Sequence, residues 1–179
     1  MTQLDDTQLA RRLADPTTRA DAFRAAVQQY GEQMYWQARR LVRWHEDADD
    51  VVQNAFVKAW THLDGFRAES TVRTWLMRIV INEALDHRRR NKHEAENDPE
   101  TLAAQLQADP YFDGDATQLM LEQALQQLPP VQRAVFHLRY YDEMPYQQMS
   151  ETLGTSVGAL KASYHHAVKK IADFFHQHE

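Results

Sequence analysis

The 179-residue chain contains no cysteine. That excludes disulfides, a thiolate metal site and a cysteine nucleophile, and it fits a reducing compartment. Glycine is scarce, at five residues. There is no Gly-rich phosphate loop, no His-Glu-x-x-His and no nucleophile elbow, so the common enzyme signatures are missing and no enzyme is expected. No run approaches the roughly 18 apolar residues of a membrane helix. The first thirty residues hold Asp5, Asp6, Asp15 and Asp21 and no apolar stretch, which argues against a secretory signal. These absences lead us to expect a cytoplasmic protein without membrane insertion. A persistent alternating strand pattern is also lacking.

Hydrophobic residues make up 43% of the chain, enough for real cores, and the net charge is −6. The charge is unevenly spread. Residues 1–92 hold 15 Lys/Arg against 13 Asp/Glu, residues 93–116 hold none against seven, and residues 117–179 hold five against six. The acidity sits in the middle, so the overall balance does not speak against an anionic partner at either end.

Apolar residues recur at helical spacing. Phe23, Val27, Tyr30, Met34, Ala38, Leu41 and Val42 step by three or four. So do Val52, Phe56, Ala59 and Leu63, with Val51 and Ala55 beside them. Val72, Leu76, Ile79 and Val80 begin a third face, widened by Trp75 and Leu85, and a weaker short helix is expected near Leu9–Leu13. Prolines, Gly114 and like charge break the pattern over 93–116, with at most a helical turn at Leu102–Leu106, and this reads as a linker. Beyond it, Leu119, Leu121, Leu125 and Leu128 form one helix stopped by Pro129-Pro130. Val131, Val135, Phe136 and Leu138 form the next, ending near Tyr141. Pro145 suits a first helical turn, with Tyr146, Met149 and Leu153 following on one side. The expected fold is all-α: two small helical domains, residues 1–92 and 117–179, joined by an acidic linker at 93–116.

Three constellations carry chemistry. Tyr146 to Ile171 is a helix, a turn through Gly154-Thr155-Ser156 and a second helix from Val157 to about Phe175, the helix-turn-helix pattern. Leu160, Tyr164, Ala167, Val168 and Ile171 face inward by spacing. Lys161, His165 and Lys169 fall on an outer row, with Ala162 and His166 next to them. In such a motif the outer row enters the major groove; the plain alternative is a helical hairpin with a solvated face. Second, Asp47, Asp49 and Asp50 are expected in the first turn of a helix, where acids compensate the macrodipole. With Gln53 and Asn54 one turn on, they also make an acceptor-rich ridge suited to Arg or Lys of a partner. Third, Phe66, Arg67, Glu69 and Ser70 form a short loop before a helix bearing Trp75, Arg78, Asn82, Arg88, Arg89 and Arg90. Aromatic, amide and guanidinium groups together can hold an unstacked base and track a phosphate strand, although core packing accounts for most of the Trp75 ring. Nine histidines suggest a metal. His165 and His166, however, are adjacent and point about 100° apart on a helix, and His176 and His178 lie at a terminal end. No metal or other cofactor is expected.

Taken together, these residues resemble the bacterial RNA polymerase sigma factors of the extracytoplasmic-function class, from about Phe23 to Phe175. Asp47-Ala-Asp-Asp-Val-Val-Gln53 through Trp60 looks like that family's core-polymerase-binding helix. Phe66 to Ser70 with Thr74-Trp75-Leu-x-Arg78-Ile79-x-x-Asn82 looks like its promoter-melting and minus-ten-reading loop and helix. Leu125-x-x-Leu-Pro129 and Arg133-x-Val-Phe-x-Leu-Arg139 resemble the opening of its C-terminal domain, and Lys161 to Ile171 resembles its minus-thirty-five recognition helix.

The resemblance implies an alternative sigma factor that binds core RNA polymerase, recognises promoter DNA and helps open it. Asp47, Asp49, Asp50, Gln53 and Asn54 would dock on the β′ clamp helices. Phe66, Arg67, Glu69, Ser70, Trp75, Arg78, Asn82, Arg88 and Arg89 would serve the minus-ten element. Lys161, Ala162, Ser163, His165, His166 and Lys169 would serve the minus-thirty-five element, on a domain that also meets the β flap. The linker carboxylates would stand in for RNA phosphates in polymerase channels, and an anti-sigma protein is implied as a partner. Two departures stand out. Asn54 replaces the usual Glu after Gln53, and Ala162 and Ser163 replace the donors usual in the recognition helix, so promoter preference does not carry over. The alternative is a helix-turn-helix regulator of duplex DNA with no polymerase role. A helical interaction protein that binds no nucleic acid is a further one.

Overall fold

A computed structural model of the chain describes residues 4–91, 104, 107–108 and 114–178. Among them every regular element is a helix: α1 (Asp6–Ala14), α2 (Arg19–Leu41), α3 (His45–Thr61), α4 (Val72–Arg90), α5 (Ala116–Gln126), α6 (Pro130–Tyr140), α7 (Tyr146–Leu153) and α8 (Val157–His178). A 3-10 turn, Leu63–Gly65, lies between α3 and α4. The chain divides into two compact units, Met1–His87 and Arg88–Glu179. The all-α class is as expected. The expected linker at 93–116 lies mostly outside the described residues; Ala104, Gln107 and Ala108 are helical.

In the N-terminal unit, α1 is better defined than its short apolar pattern suggests. The Asp5 carboxylate accepts from the Gln8 N–H at 2.8 Å, and the Gln8 side-chain oxygen accepts from the Asp5 N–H at 3.3 Å. This reciprocal capping box fixes the helix start, and Leu9 and Leu13 anchor it in the core. The α2–α3 seam is as expected at Met34, Ala38, Leu41 and Ala59, with Val51 and Ala55 beside it, and differs by one position in the first half of α2, where Ala22 and Ala26 take the place of Phe23 and Val27. Its buried rows are Ala22, Ala26, Met34, Ala38 and Leu41 on α2, and Ala48, Val51, Ala55 and Ala59 on α3. The larger Phe23, Val27, Tyr30, Val52 and Phe56 are only half-buried. Small residues let the two backbones approach, and the bulky neighbours then cover the flanks of the seam. Phe23, for example, meets Phe56 edge-on at 6.4 Å and Trp60 at 5.3 Å. On α4 the buried residues are Val72, Leu76, Met77, Val80, Ile81, Glu83, Ala84 and Leu85, while Ile79 is half-buried.

In the C-terminal unit α6 is the central helix. Its residues Arg133 to Leu138 are all buried, as in a helix surrounded on every side. Pro130 occupies the first helical position, where no N–H is needed. Helix α5 is capped by Asp115, which accepts from the Gln118 N–H at 2.9 Å. It stops at Gln126, before Leu128, which still packs with Leu125, Phe136 and Ala167 in the core. Pro145 sits just outside α7 rather than in its first turn. Gly154 ends α7 in the left-handed conformation, φ 64°, which glycine adopts without steric cost. The Ser156 hydroxyl then accepts from the Ala159 N–H at 3.3 Å and starts α8.

Candidate functional site

The first candidate surface lies on α3. This helix begins at His45 with Trp44 as its cap residue. Glu46 and Asp47 therefore occupy the first turn, and Asp49 and Asp50 fall in the second, one turn later than expected. Macrodipole compensation accounts for the first two acids and weakens beyond the first turn, so it does not explain Asp49 and Asp50. Asp47 turns inward: it is half-buried and 3.5 Å from His87 of α4. His45 lies 3.9 Å from Asp49. The exposed ridge is thus Asp49, Asp50, Gln53 and Asn54, without Asp47. It continues along the same face into Val57 and Trp60, which are 66% and 46% exposed. Exposed apolar area next to hydrogen-bond acceptors is the composition of a protein-docking face.

The second surface lies between the C-terminal end of α3, the 3-10 turn and α4. Here a cleft of about 330 Å³ is lined by Lys58, His62, Gly65, Trp75, Ile79, Asn82, Glu83 and Asp86. Trp75, Ile79, Asn82, Glu83 and Asp86 recur along one stripe of α4. Phe66 follows the 3-10 turn and packs against Trp75, with ring centres 4.9 Å apart and ring planes tilted by 48°. This explains why both rings are half-buried and gives the cleft an aromatic edge. Across the cleft, Lys58 donates a hydrogen bond to Glu83. The Glu83 side chain is 3% exposed and that of Lys58 51% exposed, so the pair joins the core to the rim. Arg67 and Glu69 are exposed on the loop and Ser70 is half-buried. Between Arg67 and Glu69, Ala68 holds φ 53°, an uncommon value for a residue with a Cβ. Asn82 is exposed at the cleft and Arg78, one turn earlier, is half-buried. Arg88 and Arg89 lie in the last turn of α4. Lys58, His62, Glu83 and Asp86 escaped the sequence reading, because charged residues 25 positions apart on two helices leave no local signal.

The third surface is the outer face of α8. Lys161, Ala162, His165, His166 and Lys169 are exposed, and Ser163 is half-buried. Val168 was expected inside but is 42% exposed. The inward row instead runs Leu160, Tyr164, Ala167, Ile171 and Phe174, with Leu160, Ala167 and Phe174 buried. Tyr146, the first residue of α7, has the Arg139 guanidinium 4.9 Å and the Lys161 ammonium 5.8 Å from its ring centre. Such cation–π contacts hold the two cations near the start of the second helix. Among the described residues, no group of His, Asp or Glu side chains is arranged to hold a metal ion, and no helix is long and apolar enough to cross a membrane.

The family model described as Sigma-70 region 2 matches residues 26–94, and that described as Sigma-70, region 4 matches residues 118–171. The chain is 32% identical over 157 residues to the ECF RNA polymerase sigma factor SigW of Bacillus subtilis, covering 81% of this chain and 84% of that protein. It is 28% identical over 179 residues to the RNA polymerase sigma-H factor of Pseudomonas aeruginosa, covering 90% and 89%. Among solved structures, CnrH in complex with the cytosolic domain of CnrY is 27% identical with a TM-score of 0.69, over 97% of this chain and 99% of that one. The sigma factor RpoE of Bartonella quintana, in complex with the anti-sigma factor NepR, shares the fold with a TM-score of 0.63 at 21% identity, over 86% and 96%.

Proposed function

The chain belongs to the RNA polymerase sigma factors of the extracytoplasmic-function class, and from that premise we propose how its own surfaces divide the work. The protein is an alternative sigma factor that joins core RNA polymerase in the cytoplasm, recognises promoter DNA and helps open it. It makes and breaks no covalent bond itself. Asp49, Asp50, Gln53 and Asn54, extended by Val57 and Trp60, dock on the β′ clamp helices. The cleft beside Phe66, Trp75 and Asn82 takes an unstacked base of the minus-ten element, and Arg67, Arg78, Arg88 and Arg89 track its phosphates. The outer row of α8 reads the minus-thirty-five duplex. An anti-sigma protein is the expected inhibitor, as solved sigma factors of this fold are held by anti-sigma partners.

The observation that carries this reading is the double use of α3. One face presents the exposed acceptor ridge, and the same helix lends Lys58 to the cleft. Opening DNA costs a few kcal/mol per flipped base, and stacking a base on an aromatic side chain returns about 1–3 kcal/mol. Binding energy from the polymerase and the upstream duplex supplies the rest. A regulator that only gripped duplex DNA would leave the cleft and ridge without a use. Core polymerase with the purified chain, transcribing a random promoter library, tests the assignment. The expected result is enrichment of a two-part promoter. Enrichment that survives Asp50→Arg together with Gln53→Ala, or binding to the library with no dependence on core polymerase, would refute it.

A further inference from the structure

The first turn of α4 is held by a residue 66 positions away. Asp6, at the start of α1, accepts from the Val72 N–H at 2.8 Å through Oδ2 and from the Arg73 N–H at 3.2 Å through Oδ1. Val72 and Arg73 are the first two residues of α4, whose N–H groups have no partner inside the helix. The third, Thr74, donates to the Thr71 hydroxyl at 3.0 Å. The local cap therefore covers one of the three donors, and Asp6 covers the other two. Oδ1 of Asp6 also accepts from the Tyr30 hydroxyl of α2 at 3.2 Å. Leu9 and Leu13, fully buried, keep α1 in place. Beside this, the Arg73 side chain donates to Gln33 of α2 at 2.9 Å.

The held turn matters because of what it borders. It is the C-terminal anchor of the loop that carries Arg67, Glu69 and Ser70, and Trp75 lies three residues beyond Val72. The Phe66–Trp75 ring contact thus closes a span whose far end is fixed by Asp6. We propose that Asp6 is a positioning residue for single-strand capture: it sets the first turn of α4 so that loop and cleft are aligned before DNA arrives. This rests on the reading of the cleft as a base-binding site.

The test uses the full chain bound to core polymerase and a fluorescent single-stranded oligonucleotide carrying the minus-ten sequence selected from the library. Asp6→Ala is expected to weaken strand binding by about fivefold or more, the loss typical of a removed cap. Asp6→Asn keeps one acceptor oxygen and is expected to lose less. Leu9→Ala lowers the melting temperature through a core void but leaves the carboxylate. Assayed well below its melting point, it is expected to bind the strand as the parent does, and affinity for core polymerase is expected to be unchanged in all three. Equal strand binding by Asp6→Ala and the parent would overturn the inference. So would a loss in Leu9→Ala as large as that in Asp6→Ala. Should Asp6→Ala not fold, Asp6→Asn carries the same comparison, and strand binding equal to the parent's would again overturn the inference. Failure of the parent holoenzyme to bind any selected strand would overturn the base-capture reading and this inference with it, whereas a binding parent with indifferent variants overturns this inference alone.

Discussion

Replacing Lys58 with methionine tests the link between the cleft and the core. Lys58 and Glu83 form a pair in which the carboxylate is 3% exposed and the lysine 51% exposed. An exposed ion pair contributes about 0–1 kcal/mol, and a hydrogen bond to a charged group about 1.5–3 kcal/mol. A pair open to water at one end only belongs between these, so Lys58→Met is expected to cost about 1.5 kcal/mol. For a domain of this size, 1 kcal/mol shifts the midpoint by about 4–8 °C, giving a fall of about 6–12 °C. The chain supplies a selective probe. Its four tryptophans, Trp36, Trp44, Trp60 and Trp75, all lie in the unit Met1–His87, so their fluorescence follows that unit alone. In the double variant Lys58→Met/Glu83→Met neither charge of this pair remains, and stability is expected to recover most of the loss, as buried pairs replaced by apolar residues commonly do. Additive losses in the two single variants and the double variant would refute the coupling.

Two further outcomes are expected. Gly154→Ala places a Cβ with nothing within 4 Å but keeps φ at 64°, so only the backbone objects; amide exchange in α7 and α8 should show a loss of about 1–2 kcal/mol, with Gly154→Asn milder, and an alanine variant as protected as the parent would contradict the left-handed turn. Burial above all, then the Asp6 carboxylate, holds the Tyr30 phenol above its ordinary value of 10.0. Since the folded state favours the protonated phenol, this stabilisation is complete below the ordinary value and is lost as pH rises through the raised one. The denaturation midpoint read by tryptophan should therefore fall more steeply above pH 10 in the parent than in Tyr30→Phe, and parallel curves would refute this.

The helices were legible in the sequence because apolar spacing of three or four survives whatever packs against it. The turn at Gly154-Thr155-Ser156 was legible because glycine and a capping hydroxyl have few other uses in that order. The register of the first half of α2 was not, and that of α3 only in part. Alanine carries little hydrophobic weight, so the pattern favoured Phe23, Val27, Val52 and Phe56, while close approach of the backbones selected Ala22, Ala26, Ala48 and Ala55. Asp47 lies in the first turn as expected, but it turns to His87 on another helix, a tertiary contact that local spacing does not encode. Phe66, Trp75 and Asn82 were found as a group because they lie close along the chain. Lys58 and Asp6 were not, since tertiary packing alone brings them to Glu83 and to the first turn of α4.

Ala68 bears on the conformational freedom of its loop. An alanine held at φ 53° costs more in the native chain than a glycine would, yet leaves the unfolded chain fewer conformations to give up. The segment between Phe66 and Thr71 is thereby less a tether that samples many shapes than a hook bent in advance. In the function proposed above, its ordering entropy is settled once, when the polypeptide folds, and is not charged again at each promoter visit.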